Sequence, residues 1–149
     1  MIKSFLTASA IIGSMTASSI AGGLEGSYAG AGVAIDVDGS ATAASISGRY
    51  DVPKAPISFR PQFTIGEQFG GNLALTADIA VAENLNFYAG GGAGFGAGTA
   101  LNGIDDTVGF AVLGAEGAVA KDVVVFGDVK FGLGGKTTYV PTIGVAYKF

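Results

Sequence analysis

Ile57-Ser-Phe-Arg-Pro-Gln-Phe-Thr-Ile65 alternates apolar and polar residues without a break. Successive side chains of a β-strand point to opposite faces, so Ile57, Phe59, Pro61, Phe63 and Ile65 share one face, while Ser58, Arg60, Gln62 and Thr64 share the other. The stretch therefore reads as a strand with two unlike sides. It raises the question that decides the fold, namely which side is buried.

The same alternation recurs in both directions along the chain. Between Asn72 and Val81, Leu73, Leu75, Ala77, Ile79 and Val81 oppose Thr76 and Asp78. Between Ala43 and Tyr50, Ala44, Ile46 and Tyr50 oppose Ser45, Ser47 and Arg49. The last segment sets Tyr139, Pro141, Ile143, Val145, Tyr147 and Phe149 against Thr138, Thr142 and Lys148. Ser27–Val37, Leu85–Gly96, Val108–Val119 and Val123–Phe131 are of similar length, which brings the total to eight candidate strands. The connections at 38–42, 52–56, 66–71, 82–84, 97–106, 120–122 and 132–136 carry Gly, Pro, Asn and Asp, the residues that turns require. They leave no helix-length pattern for crossovers, so the expected fold is all-β, an antiparallel up-and-down barrel.

An internal repeat supports hairpin construction. Ala77-Asp-Ile-Ala-Val-Ala-Glu-Asn-Leu85 resembles Ala115-Glu-Gly-Ala-Val-Ala-Lys-Asp-Val123 at an offset of 38 residues (115 − 77). Each copy places an acid on the polar face, then a short polar turn, then a new strand.

The polar face carries few charges, of both signs: Arg49, Arg60, Asp78, Glu116, Asp128 and Lys130. Ser, Thr, Gln, Gly and Ala lie between them, in place of the dense Lys and Glu of a solvated surface. A small balanced set suits a closed interior in which each charge finds a partner. The expected arrangement is thus a barrel with its polar face inside and its apolar face toward lipid.

Composition narrows the function classes. The chain of 149 residues has no Cys and no His, which removes disulfides, thiolate chemistry, and the commonest general base and transition-metal ligand. Charged residues make up 13% and net charge is −4 with no basic patch, so nucleic acid is not an expected partner. Met1 to Ala21 has a basic start at Lys3, an apolar run from Phe5 to about Ile12, and Ser19-Ile-Ala21 before Gly22. That is the layout of a secretory signal peptide, with residues 22–149 as the barrel domain and cleavage expected after Ala21 or a neighbouring small residue.

The run Tyr88-Ala-Gly-Gly-Gly-Ala-Gly-Phe-Gly-Ala-Gly98 contains a G-x-G-x-x-A pattern and glycines four apart. A phosphate cradle needs a helix after it, and a helix seam needs a long apolar span around it; neither is present. Parity instead places Gly90, Gly92, Gly94 and Gly96 on the inner face, with Phe87 and Phe95 outward. The stripe is expected to make room for long inward groups such as Arg49, Arg60, Glu116 or Lys130. Asp36-Val-Asp38-Gly39-Ser40 resembles the start of a calcium loop but lacks the remaining ligands, and reads as a turn. Ile104-Asp105-Asp106 reads as a solvated loop. No metal or cofactor is expected.

The chain ends Thr142-Ile-Gly-Val-Ala-Tyr-Lys-Phe149. Thr142, Gly144, Tyr147 and Phe149 match, residue by residue, the polar-x-Gly-x-x-apolar-x-apolar ending of bacterial outer-membrane barrels. On these residues the chain resembles the small eight-stranded outer-membrane barrels of the OmpA, OmpX and opacity-protein type. The resemblance implies a Gram-negative outer-membrane location, with both termini and the connections at 52–56, 82–84 and 120–122 on the periplasmic side. It also implies contact with membrane lipid and lipopolysaccharide, handling by the barrel assembly machinery, and a monomer. Trp is absent and the loops are short, which departs from that family and argues against an adhesive role. Enzymatic barrels of this kind resemble sites built with His, so no catalytic residue is expected. The leading expectation is a structural envelope protein with its interior plugged by side chains. A narrow porin-like channel is the alternative, and a soluble periplasmic lipocalin-like binding barrel is the third reading.

Overall fold

A computed structural model describes residues 24–37, 41–66, 69–96, 108–133 and 139–149. The expected leader at 1–21, Asp38-Gly39-Ser40, Gly98 and Ile104-Asp105-Asp106 lie outside the described residues. Eight strands follow in order: β1 (Tyr28–Asp36), β2 (Ala41–Asp51), β3 (Ile57–Ile65), β4 (Phe69–Ala82), β5 (Leu85–Gly96), β6 (Val108–Ala120), β7 (Val123–Gly132) and β8 (Tyr139–Lys148). Each pairs antiparallel with the next, and β1 pairs with β8, so the sheet closes on itself. Closure satisfies both edges of every strand and leaves no row of unpaired amides.

The alternation of β3 maps onto the two faces of this wall. Phe59, Phe63 and Ile65 are exposed, whereas Ser58, Arg60, Gln62 and Thr64 are buried. Strand β8 repeats the pattern, with Ile143, Val145 and Tyr147 outside and Val140, Thr142 and Ala146 inside. The buried face is the polar one, the reverse of a water-soluble domain.

Leu24, where the described residues begin, the C-terminal Phe149 and the turns at 52–56, 83–84 and 121–122 gather at one rim, here called the near rim; the opposite strand ends form the far rim. The repeat seen in the sequence is structural. The register of β4 against β5 shifts between Ala80 and Ala82, and that of β6 against β7 between Ala118 and Ala120, positions related by the same offset of 38. Each bulge leads into a two-residue turn, Glu83-Asn84 or Lys121-Asp122. The equivalent carbonyls of Asn84 and Asp122 accept hydrogen bonds from the next strand along, from Ala118 N–H (3.0 Å) and Lys148 N–H (2.8 Å). Asn84 takes a left-handed φ of 59°, a conformation Asn tolerates better than most residues.

Strand β4 begins at Phe69, so the turn expected over 66–71 is shorter than its glycines suggest. Gly70 and Gly71 pair with Thr64 and Phe63 on one side and with Gly96 and Phe95 on the other. Gly71 lies between two rings, where an added Cβ would sit 3.1 Å from Phe95 Cζ and 3.3 Å from Phe63 Cδ1. Phe69 packs at 6.2 Å from each of those rings. Gly71 thus allows a row of outward aromatic rings.

The inward glycines of β5 serve the wall itself. A Cβ on Gly90 would overlap the carbonyl oxygen of Leu75, and one on Gly92 that of Leu73, both backbone atoms of β4. Their absence of side chain lets β4 and β5 approach closely. Space for a long inward group comes from a different glycine: the Tyr88 ring occupies the volume that a side chain at Gly114 on β6 would fill. Gly94 is buried on β5, and Gly96 pairs with Gly70.

Candidate functional site

The interior charges are presented by five strands: Arg49 from β2, Arg60 from β3, Asp78 from β4, Glu116 from β6, and Asp128 and Lys130 from β7. Each projects inward because it holds the parity opposite to its exposed apolar neighbours. Arg49 reaches Asp78 at 3.0 Å and Glu116 at 3.3 Å. Arg60 reaches the same two acids at 2.9 and 2.8 Å. Two guanidiniums and two carboxylates, each carboxylate shared by both arginines, therefore close a ring of four ion pairs across the lumen. The two acids of the sequence repeat are the two carboxylates of this ring.

Neutral groups complete the ring. Tyr28 donates its hydroxyl proton to Glu116 (2.7 Å) and accepts from Arg60 Nη1 (2.9 Å). Ser58 accepts from Arg49 Nε at 3.0 Å and makes a short hydrogen bond to Asp78. Thr76 accepts from Arg60 Nε at 2.9 Å. Asp51, half-buried near the rim, adds a further pair to Arg49 at 3.2 Å.

Tyr88 joins this ring to the remaining charges. Its ring lies 3.5 Å from Arg60 Cζ in a cation–π contact, and its hydroxyl donates to Asp128 at 3.1 Å. Asp128 accepts from Lys130 Nζ at 2.7 Å. Arg49, Arg60 and Lys130 balance Asp78, Glu116 and Asp128, three positive charges against three negative, with Asp51 as a fourth acid that stays partly exposed at the near rim. Balance matters because an uncompensated charge in such an interior is costly.

A cap closes the near rim beneath the ring. The segment before β1 turns inward, and Leu24 is buried against Tyr28, Val124, Phe126 and Ala146. One Asn86 side chain grips its backbone twice, accepting from Leu24 N–H at 3.0 Å and donating to Leu24 O at 2.8 Å. Arg49 Nη1 donates to Leu24 O at 3.1 Å, and Asp51 accepts from Gly26 N–H at 3.1 Å.

Sequence parity brought out the six charged residues; Tyr28, Asp51, Ser58, Tyr88, Asn86 and Leu24 were not singled out as partners. Their inward parity was a usable signal for Ser58, Tyr88 and Asn86, but nothing local marks Leu24. The C-terminal residues divide between the faces. Thr142 and Gly144 are buried, and Tyr147 and Phe149 are exposed. Gly144 has a structural reason of its own: an added Cβ would overlap the Phe126 ring and lie 2.6 Å from Ala31 O. Among the described residues no group of His, Cys, Asp or Glu is arranged to hold a metal ion. Each acid of the ring is paired to guanidinium, which leaves the arrangement suited to bracing the wall and blocking the lumen.

No family model and no curated protein sequence matches this one. Solved structures do match in shape. A barrel from the de novo design of transmembrane β-barrels aligns at a TM-score of 0.64 and 16% identity, over 83% of this chain and 96% of the design. The Yersinia pestis outer membrane protein Ail aligns at 0.58 and 15% identity, over 84% of this chain and all (100%) of that one. The N-terminal β-barrel domain of Pseudomonas aeruginosa OprF aligns at 0.56 and 15% identity, over 85% and 98% of the two chains. At such identities the likeness is one of fold, and the chain has the fold of the small eight-stranded outer-membrane β-barrels.

Proposed function

We propose that this chain is an integral outer-membrane barrel with a structural role in the cell envelope, its apolar wall against lipid and its lumen sealed. The observation that carries this reading is the inversion of the two faces. Ile46, Leu73, Leu113, Ile143 and Val145 are each more than half exposed, while Arg49, Arg60, Glu116 and Lys130 are each less than a tenth exposed. In water that exterior would be a large continuous apolar patch, the kind that drives association. In a bilayer it faces acyl chains and the polar interior costs nothing further.

Strand length agrees. The strands run from 9 to 14 residues. At ~3.3 Å per residue and a tilt of about 40°, ten residues rise ~25 Å, the height of the apolar band of such barrels. Aromatic side chains lie outward near both rims, Phe63, Phe69, Phe95 and Tyr139 toward the far one and Tyr50, Tyr147 and Phe149 toward the near one. This fits the interfacial belts of membrane proteins. On this reading the near rim faces the periplasm, residues 1–21 are a cleaved leader, and the C-terminal Thr142, Gly144, Tyr147 and Phe149 are read by the assembly machinery.

The ring of ion pairs and the Leu24 cap favour a plug over a channel, because a permeating ion would have to break paired buried charges. They also disfavour a lipocalin-like binder, whose lumen is a ligand cavity. Two measurements on the native protein test the proposal. It should stay with membranes through a carbonate wash, and its gel mobility in detergent should change on boiling. Release by the wash, or one mobility before and after heating, would refute the membrane reading. A steady single-channel conductance in a planar bilayer would refute the sealed lumen.

A further inference from the structure

The lumen above the ion-pair ring contains a cavity of about 20 Å³, bounded by Ser47, Gln62, Asn72, Tyr88, Asp128 and Lys130 among others. Two of its lining residues each carry a buried atom, Ser47 Oγ and Asn72 Oδ1, with no hydrogen-bond partner among the described residues. A third buried atom of this kind, Ser45 Oγ, lies one inward position nearer the far rim and does not border the cavity. The neighbouring amides are committed elsewhere: Asn72 Nδ2 donates to Gln62 Oε1 at 3.2 Å, and Gln62 Nε2 donates to Thr142 Oγ1 at 3.5 Å.

We propose that this cavity is a binding site for a single structural water bridging Ser47 and Asn72. The volume suits one, since a water needs roughly 10–15 Å³ of such space and two to four polar partners. The chemistry selects against ions. Asn72 Oδ1 only accepts, so the occupant must donate to it, and the Ser47 hydroxyl, which can donate or accept, meets either lone pair or proton of the same occupant. A cation would lie beside the Lys130 ammonium and the Arg60 guanidinium, which also lines the cavity; an anion would lie beside the Asp128 carboxylate and the Asn72 carbonyl, with Arg60 already held by Asp78 and Glu116 and Lys130 by Asp128. A neutral molecule of water size meets all of these constraints. It accepts from the Ser47 hydroxyl and donates to Asn72 Oδ1, with Lys130 across the cavity for a further bond. The two orphaned atoms and the cavity thus have one explanation. The inference is independent of the membrane proposal, because it concerns only groups inside the barrel.

Crystal structures of the wild-type protein and of Ser47→Ala, at a resolution that shows ordered solvent, test it. The wild type should show one isolated density peak at about 2.7–3.2 Å from both Ser47 Oγ and Asn72 Oδ1. In Ser47→Ala, a substitution that keeps the wall intact, that peak should vanish or move away from the residue 47 side. A dry cavity in the wild type would overturn the proposal. So would a Ser47 or Asn72 side chain rotated to bond another protein atom, or a peak unchanged in Ser47→Ala.

Discussion

Replacing Glu116 by Gln removes one charge from the centre of the ring and almost no volume. Glu116 is 1% exposed. Its Oε2 takes Arg60 Nη1 at 2.8 Å and the Tyr28 hydroxyl at 2.7 Å, while its Oε1 takes Asn86 Nδ2 at 3.2 Å and Arg49 Nη1 at 3.3 Å. Each oxygen takes a guanidinium, which can only donate, so whichever way the Gln amide turns, its NH₂ meets an arginine N–H. Asp78 and the half-buried Asp51 are left to face both guanidiniums. Breaking one side of a buried pair costs about 3–5 kcal/mol. With a urea slope of about 2 kcal/mol/M, the unfolding midpoint should fall by roughly 2 M. The assay is equilibrium unfolding of the purified protein in detergent, followed by the folded and unfolded gel bands. Arg60→Met alone should be similarly harmful, but the double variant Arg60→Met/Glu116→Gln removes one charge of each sign. It should cost less than the sum of the singles by at least about 1 kcal/mol, as coupled sites do. A loss under about 1 kcal/mol for Glu116→Gln, the level of an exposed pair, would refute the network argument. Strict additivity of the two singles would refute it equally.

Three further perturbations separate the roles assigned above. Gly92→Ala forces a Cβ into the carbonyl of Leu73 and should cost about 1–3 kcal/mol, whereas Gly109→Ala, whose nearest atom is 3.7 Å away, should leave the unfolding midpoint unmoved. Equal effects at the two positions would contradict the close-approach account of β4 and β5. Leu24→Ala should cost about 2–3 kcal/mol by emptying the near-rim cap; a change of under 0.5 kcal/mol, typical of surface sites, would show that the segment does not cap the lumen. Phe149→Ala should lower the yield of heat-modifiable barrel in cells yet refold from urea into detergent with wild-type efficiency. Equal loss in both settings would make Phe149 a packing residue and not an assembly signal.

The elements legible in the sequence were those whose two faces differ sharply. In β3 and β8 nearly every inward residue is polar or small and nearly every outward one is large and apolar, so period two specifies strand and face together. Asp78 and Glu116 stood out because a repeat placed both before a short turn, and the matching bulges at Ala80/Ala82 and Ala118/Ala120 show that the repeat has a backbone counterpart. Where glycine stands in for a side chain, local reading failed. Gly71 reads as part of a turn because the rings around it belong to Phe63, Phe69 and Phe95 on three strands. The stripe at Gly90 and Gly92 had the right parity, but its reason lies in the backbone of β4, which no side-chain pattern encodes. Partners across the lumen were beyond local reading too: Tyr28 and Glu116 are 88 residues apart, and Leu24 and Asn86 are 62. Parity says that a residue points inward; only barrel closure says what it meets there.

The central claim is that the apolar wall meets lipid and the polar face does not. Because the chain has no native Cys, single cysteines can be placed at adjacent positions of opposite parity: Leu113 against Val112, Val125 against Val124, and Val145 against Ala146. The first of each pair is exposed and the second buried, and all six sites are apolar, so the charge network is undisturbed. With the protein in bilayers containing brominated lipid, a fluorophore at 113, 125 and 145 should be strongly quenched. One at 112, 124 and 146 should be quenched weakly or fail to label in the folded protein. Equal quenching within the pairs, or the reverse order, would contradict the account.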